Sequence, residues 1–133
     1  MRLSTKGRYA VMAMADLAKN GTDRAVSLAE IAARQEISLS YLEHLFARLR
    51  KGGLVKSVRG PGGGYRLARE AGEMVVADIV LAGDGPIRAT RCAAHGPPRG
   101  CMTGGRRCIP HDLWEDLGAE SPRHLARVSL AGV

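Results

Sequence analysis

The chain has 133 residues, the usual size of one domain, and its core would be small for an isolated monomer, so dimerisation would add stability. It carries 20 lysine and arginine residues against 13 acidic ones, a net charge of +7 that favours a polyanionic partner, although a solvated basic surface explains the charge equally well. No apolar run is long enough to span a membrane, and the N-terminus lacks the order of a signal peptide, so we expect a cytoplasmic protein without membrane contact.

The first predicted element is an amphipathic helix near the N-terminus. Ser4 or Thr5 can serve as its N-cap, and Asn20-Gly21 is a typical stop. The apolar residues that recur at helical spacing are Ala10, Ala13, Met14 and Leu17. This stripe predicts one buried face.

Two shorter helices follow. Ser27 and Glu30 have the spacing of a capping box, which predicts a helix running to about Gln35. Ser38 can cap a third helix that ends at Gly52-Gly53. The expected buried residues of the two helices are Leu28, Ile31, Ala32, Leu42, Leu45, Phe46 and Leu49. The arrangement is typical of a helix-turn-helix, although the helices alone fit an ordinary helical hairpin as well.

A predicted hairpin separates these two interpretations. Residues 54–58 and 65–67 alternate like strands, and the glycine-rich segment 59–64 joins them, which predicts the wing of a winged helix. The glycines lie between two strands and not between a strand and a helix, so a dinucleotide-binding loop is a weak interpretation. A glycine tip flanked by Arg59 and Arg66 suits close approach to a phosphate backbone.

The exposed face of the third helix and the wing are the predicted DNA-binding surface. Residues near the helix N-terminus can hydrogen-bond base edges, whereas the basic residues suit phosphates. Glu43 is interpreted as a specificity residue that accepts from cytosine; otherwise it only aids solubility and pairs with a nearby basic side chain. The predicted DNA-binding residues are Arg2, Lys6, Arg8, Ser38, Ser40, Tyr41, Glu43, His44, Arg48, Arg50, Lys51, Arg59, Gly60 and Tyr65.

All three cysteines lie in one glycine- and proline-rich segment, at Cys92, Cys101 and Cys108, with His111 close behind. An odd number of cysteines beside a histidine favours metal binding or redox chemistry over disulfides. We expect the loop from residue 88 to 107 to be disordered without metal and ordered with it. Structural zinc is the rival metal for this site, and His95 is a competing ligand. A thiol enzyme is disfavoured because no general base can be assigned around a cysteine nucleophile.

Three motifs, at residues 1–10, 37–43 and 58–65, resemble the Rrf2 family of winged-helix transcription regulators, and the similarity extends to about residue 117. The resemblance implies a homodimer that binds a palindromic or pseudo-palindromic double-stranded DNA operator and represses genes of iron–sulfur cluster assembly. It also implies a [2Fe–2S] cluster, contact with assembly proteins, a nucleoid-associated location and no enzymatic activity. The ligands carried over by position are Cys92, Cys101, Cys108 and His111. A nitric-oxide-responsive or redox-responsive repressor of the same family is one alternative. The other is a zinc-stabilised interaction module that does not regulate genes.

The predicted fold class is mainly α (α+β), with three parts. A winged helix-turn-helix domain occupies residues 1–84, a cluster-binding loop residues 85–109, and a dimerisation helix with a tail residues 110–133. Pro110 suits the first turn of the last helix, whose Leu113, Trp114 and Leu117 are expected to pack across a two-fold axis. Pro122, which follows Gly118, is expected to kink this helix, or to end it so that it restarts over residues 123–130.

Overall fold

The computed structural model describes residues 4–85, 101–102 and 104–133. Arg2, Cys92 and His95, and the predicted ordering of the loop around the latter two, therefore lie outside the described residues. The elements, in chain order, are helices α1 (Thr5–Asn20), α2 (Leu28–Gln35) and α3 (Leu39–Lys51), strands β1 (Val55–Val58) and β2 (Gly64–Leu67), a 3-10 turn (Ala71–Glu73), helices α4 (Val76–Asp84) and α5 (His111–Leu125), and a last 3-10 turn (Leu130–Gly132). Within the described residues, no helix is both long and apolar enough to cross a bilayer.

The first three helices begin where their capping residues predict. The Ser4 hydroxyl accepts from the Gly7 amide at 3.1 Å, and the Ser38 hydroxyl accepts from the Tyr41 amide at 3.2 Å. At α2 both halves of the capping box form, because the Glu30 carboxylate also accepts from the amide of Ser27. These local bonds satisfy amides that have no partner within the helix and so fix each start.

The predicted wing is confirmed as an antiparallel hairpin. Its paired residues are Val55 with Leu67, Lys56 with Arg66, Ser57 with Tyr65, and Val58 with Gly64. The segment before α2 extends the pairing, since Val26 and Tyr65 exchange both backbone hydrogen bonds at 3.0 and 2.8 Å. Gly64 has φ +150°, and a Cβ at this position would lie 2.2 Å from the Val26 carbonyl oxygen. The close approach of the two backbones therefore requires glycine here.

The core lies where α1, α2, α3 and the hairpin meet. The predicted stripe of α1 and the apolar stripe of α3 are both buried in it, whereas Leu28 and Ala32 of α2 are only half-buried. The largest fully buried side chains are Phe46, Met14, Leu17, Ile31, Leu42, Leu49, Met74 and Ile79. Phe46 also packs against the half-buried ring of Tyr65 in a tilted arrangement, with 4.9 Å between centroids, which anchors the wing to α3.

Helix α4 was not predicted as an element, and it completes the core by packing mainly on α1 and also on α3. Val76, Ile79, Val80 and Gly83 are its buried residues, and their spacing of three and four is a helical signal that was present in the sequence. A Cβ on Gly83 would lie 2.7 Å from the Cβ of Ala10, so these two helices meet at small residues.

Helix α5 runs without interruption through Pro122 and ends at Leu125, so the expected restart over residues 123–130 is wrong. Pro122 lies near the end of the helix, where its missing amide removes only the bond to the Gly118 carbonyl. Pro110 is the N-cap, one position before the first helical residue and not within the first turn. After the helix the chain returns to the winged helix, where Leu130 is buried and its amide donates to the Met74 carbonyl at 2.8 Å.

Candidate metal centre and nucleic-acid interface

One face of α3 points away from the core. It exposes six of the predicted DNA-binding side chains, Ser40, Glu43, His44, Arg48, Arg50 and Lys51. Among the described residues Glu43 makes no ion pair, so the predicted pairing with a nearby basic side chain is not formed. An exposed helix face of this kind, on the last helix of a helix-turn-helix, is the part that enters a major groove.

Four of the predicted residues have contacts within the chain. Ser38 caps α3, and Tyr65 packs on Phe46. Tyr41 is half-buried against Tyr9, with 5.6 Å between ring centroids, and burial raises its pKa. The Arg48 guanidinium donates to the Gly83 carbonyl of α4 at 3.1 Å. Sequence reasoning missed this last contact because α4 was not predicted.

The wing tip and α1 extend the basic surface. Arg59 and Gly60 are exposed at the tip, and Lys6 and Arg8 are exposed on the first turns of α1. Gly60 has φ +94°, a conformation that side chains rarely adopt. Arg66, also exposed, donates to the carbonyl of Thr22 and so braces the hairpin against the loop after α1.

A buried ion pair, missed from the sequence, joins α1 to α2. The Asp16 carboxylate, 1% exposed, accepts from the Arg34 guanidinium at 2.8 and 2.9 Å and from the Gln35 amide at 2.9 Å. Burial by itself raises the pKa of Asp16, but the hydrogen bonds from Arg34 and Gln35 outweigh it, so the pKa lies below its ordinary value. The pair links α1 to α2, the helix that precedes α3 and packs against it.

The second cluster brings together three of the four predicted metal ligands. The sulfur atoms of Cys101 and Cys108 and a ring nitrogen of His111 all lie within 4.8 Å of one another. Cys101 and His111 are buried, and Cys108 is half-buried. Cys92, the fourth predicted ligand, lies outside the described residues.

Local backbone bonds explain how ligands ten residues apart meet. The amide of Met102 donates to the Arg106 carbonyl at 2.8 Å, which brings these two residues together in a turn. Gly104 and Gly105 have φ near +90°, so the turn uses two residues without Cβ. The Cys108 amide then donates to the Cys101 sulfur at 3.3 Å.

This donor set suits a metal or an iron–sulfur cluster. A tetrahedral metal with bonds of about 2.0 to 2.3 Å holds its ligand atoms roughly 3.3 to 3.8 Å apart. The three donor atoms here all lie within 4.8 Å of one another. Thiolates are the usual ligands of iron–sulfur clusters, and an imidazole replaces a thiolate in some of them. The group also lies at the N-terminus of α5, where the helix dipole favours negative charge such as that of thiolates.

The fold is a winged helix-turn-helix, which is typical of DNA-binding transcription regulators. It is followed by a group of two thiols and an imidazole that could hold a metal ion. The sequence matches the Rrf2 family, described as iron-dependent transcriptional regulators, over residues 3–133, and the chain belongs to this family. The predicted fold class is confirmed, as is the prediction of a regulator of this family.

Curated relatives agree with this placement. The chain is 54% identical over 130 residues to the HTH-type transcriptional regulator IscR of Photorhabdus laumondii, an alignment that covers 98% of this chain and 77% of the relative. It is 52% identical to the IscR of Cronobacter sakazakii, with 98% of this chain and 78% of the relative covered. The chain is a transcription regulator similar to IscR.

Solved structures give the same result for the fold. The structure of CymR, the global cysteine regulator of B. subtilis, matches with a TM-score of 0.81 and 32% identity, over 99% of this chain and 95% of that one. T. potens IscR matches with a TM-score of 0.78 and 39% identity, over 99% of this chain and 85% of that one.

Proposed function

We propose that the chain forms a homodimer that represses genes of iron–sulfur cluster assembly, and that a [2Fe–2S] cluster bound by Cys92, Cys101, Cys108 and His111 controls its DNA binding. The observation that carries this proposal is the meeting of two thiols and an imidazole within 4.8 Å. The iron-dependent family and the relatives named IscR support it. We further propose that the protein acts at the nucleoid in the cytoplasm, has no catalytic activity and contacts cluster-assembly proteins.

The position of the ligands suggests how the two sites are coupled. A bound cluster would give the site a charge and a redox state, and both would change when the cluster is gained, lost or reduced. His111 is the first residue of α5, and Cys101 and Cys108 form the turn that precedes this helix. Ligand capture therefore orders the start of α5, whose exposed apolar residues are proposed to form the dimer interface. Because the dimer sets the distance between two α3 helices, loaded and unloaded proteins would prefer different operators.

Anaerobic purification tests the cofactor. We expect a red-brown protein that contains iron and acid-labile sulfide, and we expect Cys108→Ala and Cys92→Ala each to lose most of both. Met102→Ala, at an exposed position within the same turn, is the control and should keep them. A colourless wild-type protein with stoichiometric zinc would contradict the cluster and favour the structural zinc site.

The DNA contacts are assigned from exposure and position. Ser40, Glu43 and His44, near the N-terminus of α3, are proposed to read base edges. The residues proposed to contact phosphates are Lys6, Arg8, Arg50, Lys51 and Arg59. Two copies related by a two-fold axis would require a palindromic or pseudo-palindromic operator with half-sites at a fixed spacing.

Arg59→Ala tests the wing. We expect weaker operator binding and a smaller dependence on salt, because the slope falls by about 0.9 for each phosphate that is no longer neutralised, hence by roughly 2 for a dimer. Binding titrations by fluorescence anisotropy at several salt concentrations measure the slope. Arg69→Ala removes an equally exposed charge just beyond β2 and is the control. An unchanged slope in Arg59→Ala, or the same change in Arg69→Ala, would argue against a wing contact.

A further inference from the structure

The imidazole of His111 is held between two different groups. Its Nδ1 lies 3.4 Å from the Cys101 sulfur, and its Nε2 lies 3.7 Å from the Glu115 carboxylate, on the next turn of α5. The His111 side chain is only 5% exposed, so the surrounding atoms restrict rotation of the ring. One nitrogen therefore faces the thiols and the other faces a carboxylate.

The two nitrogens of a neutral imidazole have different functions. A nitrogen that binds a metal must present its lone pair, so the proton must reside on the other nitrogen. In known sites that second N–H almost always donates to a carboxylate, a carbonyl or water, which fixes the proton position and the ring orientation. Glu115 occupies this place relative to His111, at a distance slightly longer than a hydrogen bond.

We infer that Glu115 is a positioning residue for the metal site: it holds the His111 proton on Nε2 and thereby presents Nδ1 to the ligand cluster. Glu115 itself is 44% exposed, lies on the far side of the ring from the sulfurs and is not a ligand. The inference rests on the proposed role of His111 as a ligand and adds the residue that prepares it for that role.

Arg107 contributes to the same arrangement. Its guanidinium lies 3.7 Å from the Glu115 oxygen that faces His111, and 3.7 Å from a carboxylate oxygen of Asp112. Glu115 therefore lies between a guanidinium and the imidazole. Asp112 is 85% exposed and contacts the same guanidinium. Asp112→Ala removes the same charge from the first turns of α5 and leaves the ring contact intact. It is therefore the matched control for Glu115.

Cobalt binding to the unloaded protein tests the inference without relying on the cluster. Co(II) is titrated anaerobically, and its sulfur-to-metal absorption band gives the affinity. We expect Glu115→Ala to weaken binding about 10- to 100-fold, the usual cost of removing such a partner. Glu115→Gln keeps an oxygen that accepts from Nε2 and should stay within a few-fold of wild type, as should Asp112→Ala. No loss in Glu115→Ala, or equal losses in Glu115→Ala and Asp112→Ala, would overturn the inference.

The proton position is a second, independent measurement. Long-range proton–nitrogen NMR spectra of the unloaded protein should show His111 protonated on Nε2, and Glu115→Ala should shift the proton towards Nδ1. The same distribution in both proteins would refute the positioning role.

His111→Ala separates this inference from the proposed function. If His111→Ala leaves cobalt affinity unchanged, the proposed ligand set fails and the role of Glu115 fails with it. If His111→Ala weakens cobalt binding but Glu115→Ala does not, only the role of Glu115 fails.

Discussion

Asp16 and His111 are the buried polar side chains of the described residues. The partner of Asp16 lies on the next helix, and Glu115 lies one helical turn after His111. Asp16 on α1 pairs with Arg34 on α2, and His111 faces Cys101 and Glu115. Burying a charge is costly unless another group compensates it, so these contacts are where single substitutions should have large effects. One contact lies in the unit that is proposed to read DNA, and the other lies in the candidate metal site.

Asp16→Ala should lower the free energy of unfolding by about 2 to 3 kcal/mol. This is less than the cost of breaking a fully buried pair, because Arg34 remains 35% exposed and stays partly solvated. Urea unfolding followed by circular dichroism measures the change, and Asp78→Ala, at an exposed position on α4, is the control. A difference below about 0.5 kcal/mol from the control would contradict the role of the pair.

The lowered pKa of Asp16 also predicts that its contribution to stability depends on pH. Because the pKa of folded Asp16 is lowered, its contribution is fully present above the ordinary value of 3.8 and is lost as the pH falls below it. The stability gap between wild type and Asp16→Ala should therefore shrink on acidification below about pH 4. A gap that widened there would contradict the direction of the shift.

At the scale of elements, the wing depends on contacts outside its own two strands. The segment before α2 bonds to Tyr65, and the ring of Tyr65 rests on Phe46 of α3. The hairpin is therefore fixed to the helix that is proposed to enter the groove. A wing attached only through its strands would not hold Arg59 at a set distance from α3.

Gly64→Ala should detach the wing from the segment before α2. The new Cβ would lie 2.2 Å from the Val26 carbonyl oxygen, a backbone atom that cannot rotate away, and φ is +150°. We expect a loss of about 2 to 4 kcal/mol of unfolding free energy, measured by urea denaturation.

Gly62→Ala is the matched control for this prediction. Gly62 lies in the same hairpin and also has a positive φ. Among the described residues beyond its chain neighbours, however, no atom lies within 4 Å of its would-be Cβ. It should cost only the conformational strain of about 1 to 2 kcal/mol. Equal effects of the two substitutions would show that the contact with Val26 is unimportant.

At the scale of the whole molecule, α5 carries apolar side chains that the single chain does not bury. Leu113 is 60% exposed, Trp114 37% and Leu117 38%, and Ile109 just before the helix is fully exposed. An exposed stripe of this kind on a helix of a small domain marks an interaction surface. A second copy of the chain is the partner that a palindromic operator requires, and it would bury the stripe across a two-fold axis.

Leu117→Glu should shift the protein from dimer to monomer, because it places a charge in the stripe. Sedimentation velocity measures the mass, and operator affinity should fall with it, since a monomer contacts one half-site. Ala119→Glu adds the same charge at an exposed position outside the stripe and should leave the dimer intact. A wild-type monomer, or equal dissociation in both variants, would contradict this interface.

Much of the winged helix could be predicted because its signals are local. The capping residues Ser4, Ser27 and Ser38 fixed three helix starts, and the glycine-rich tip between alternating strands fixed the wing. Helix α4 was not predicted, although its apolar residues have helical spacing in the sequence. The expectation that α5 ends at Pro122 and restarts was wrong, because a proline near the end of a helix removes one hydrogen bond and the rest of the helix persists.

The sequence by itself determined the residue types of the site and the short-range structure around them: the cysteines and histidine in one segment, the caps and the turn residues. Only the tertiary structure decided which of these residues meet. The bond from Arg48 to Gly83, the choice of Arg34 as the partner of Asp16, and the nitrogen of His111 that faces the sulfurs all depend on how separate elements pack together. Capping acts over three or four residues and is readable in the chain, whereas packing selects among many long-range pairings that no local pattern distinguishes.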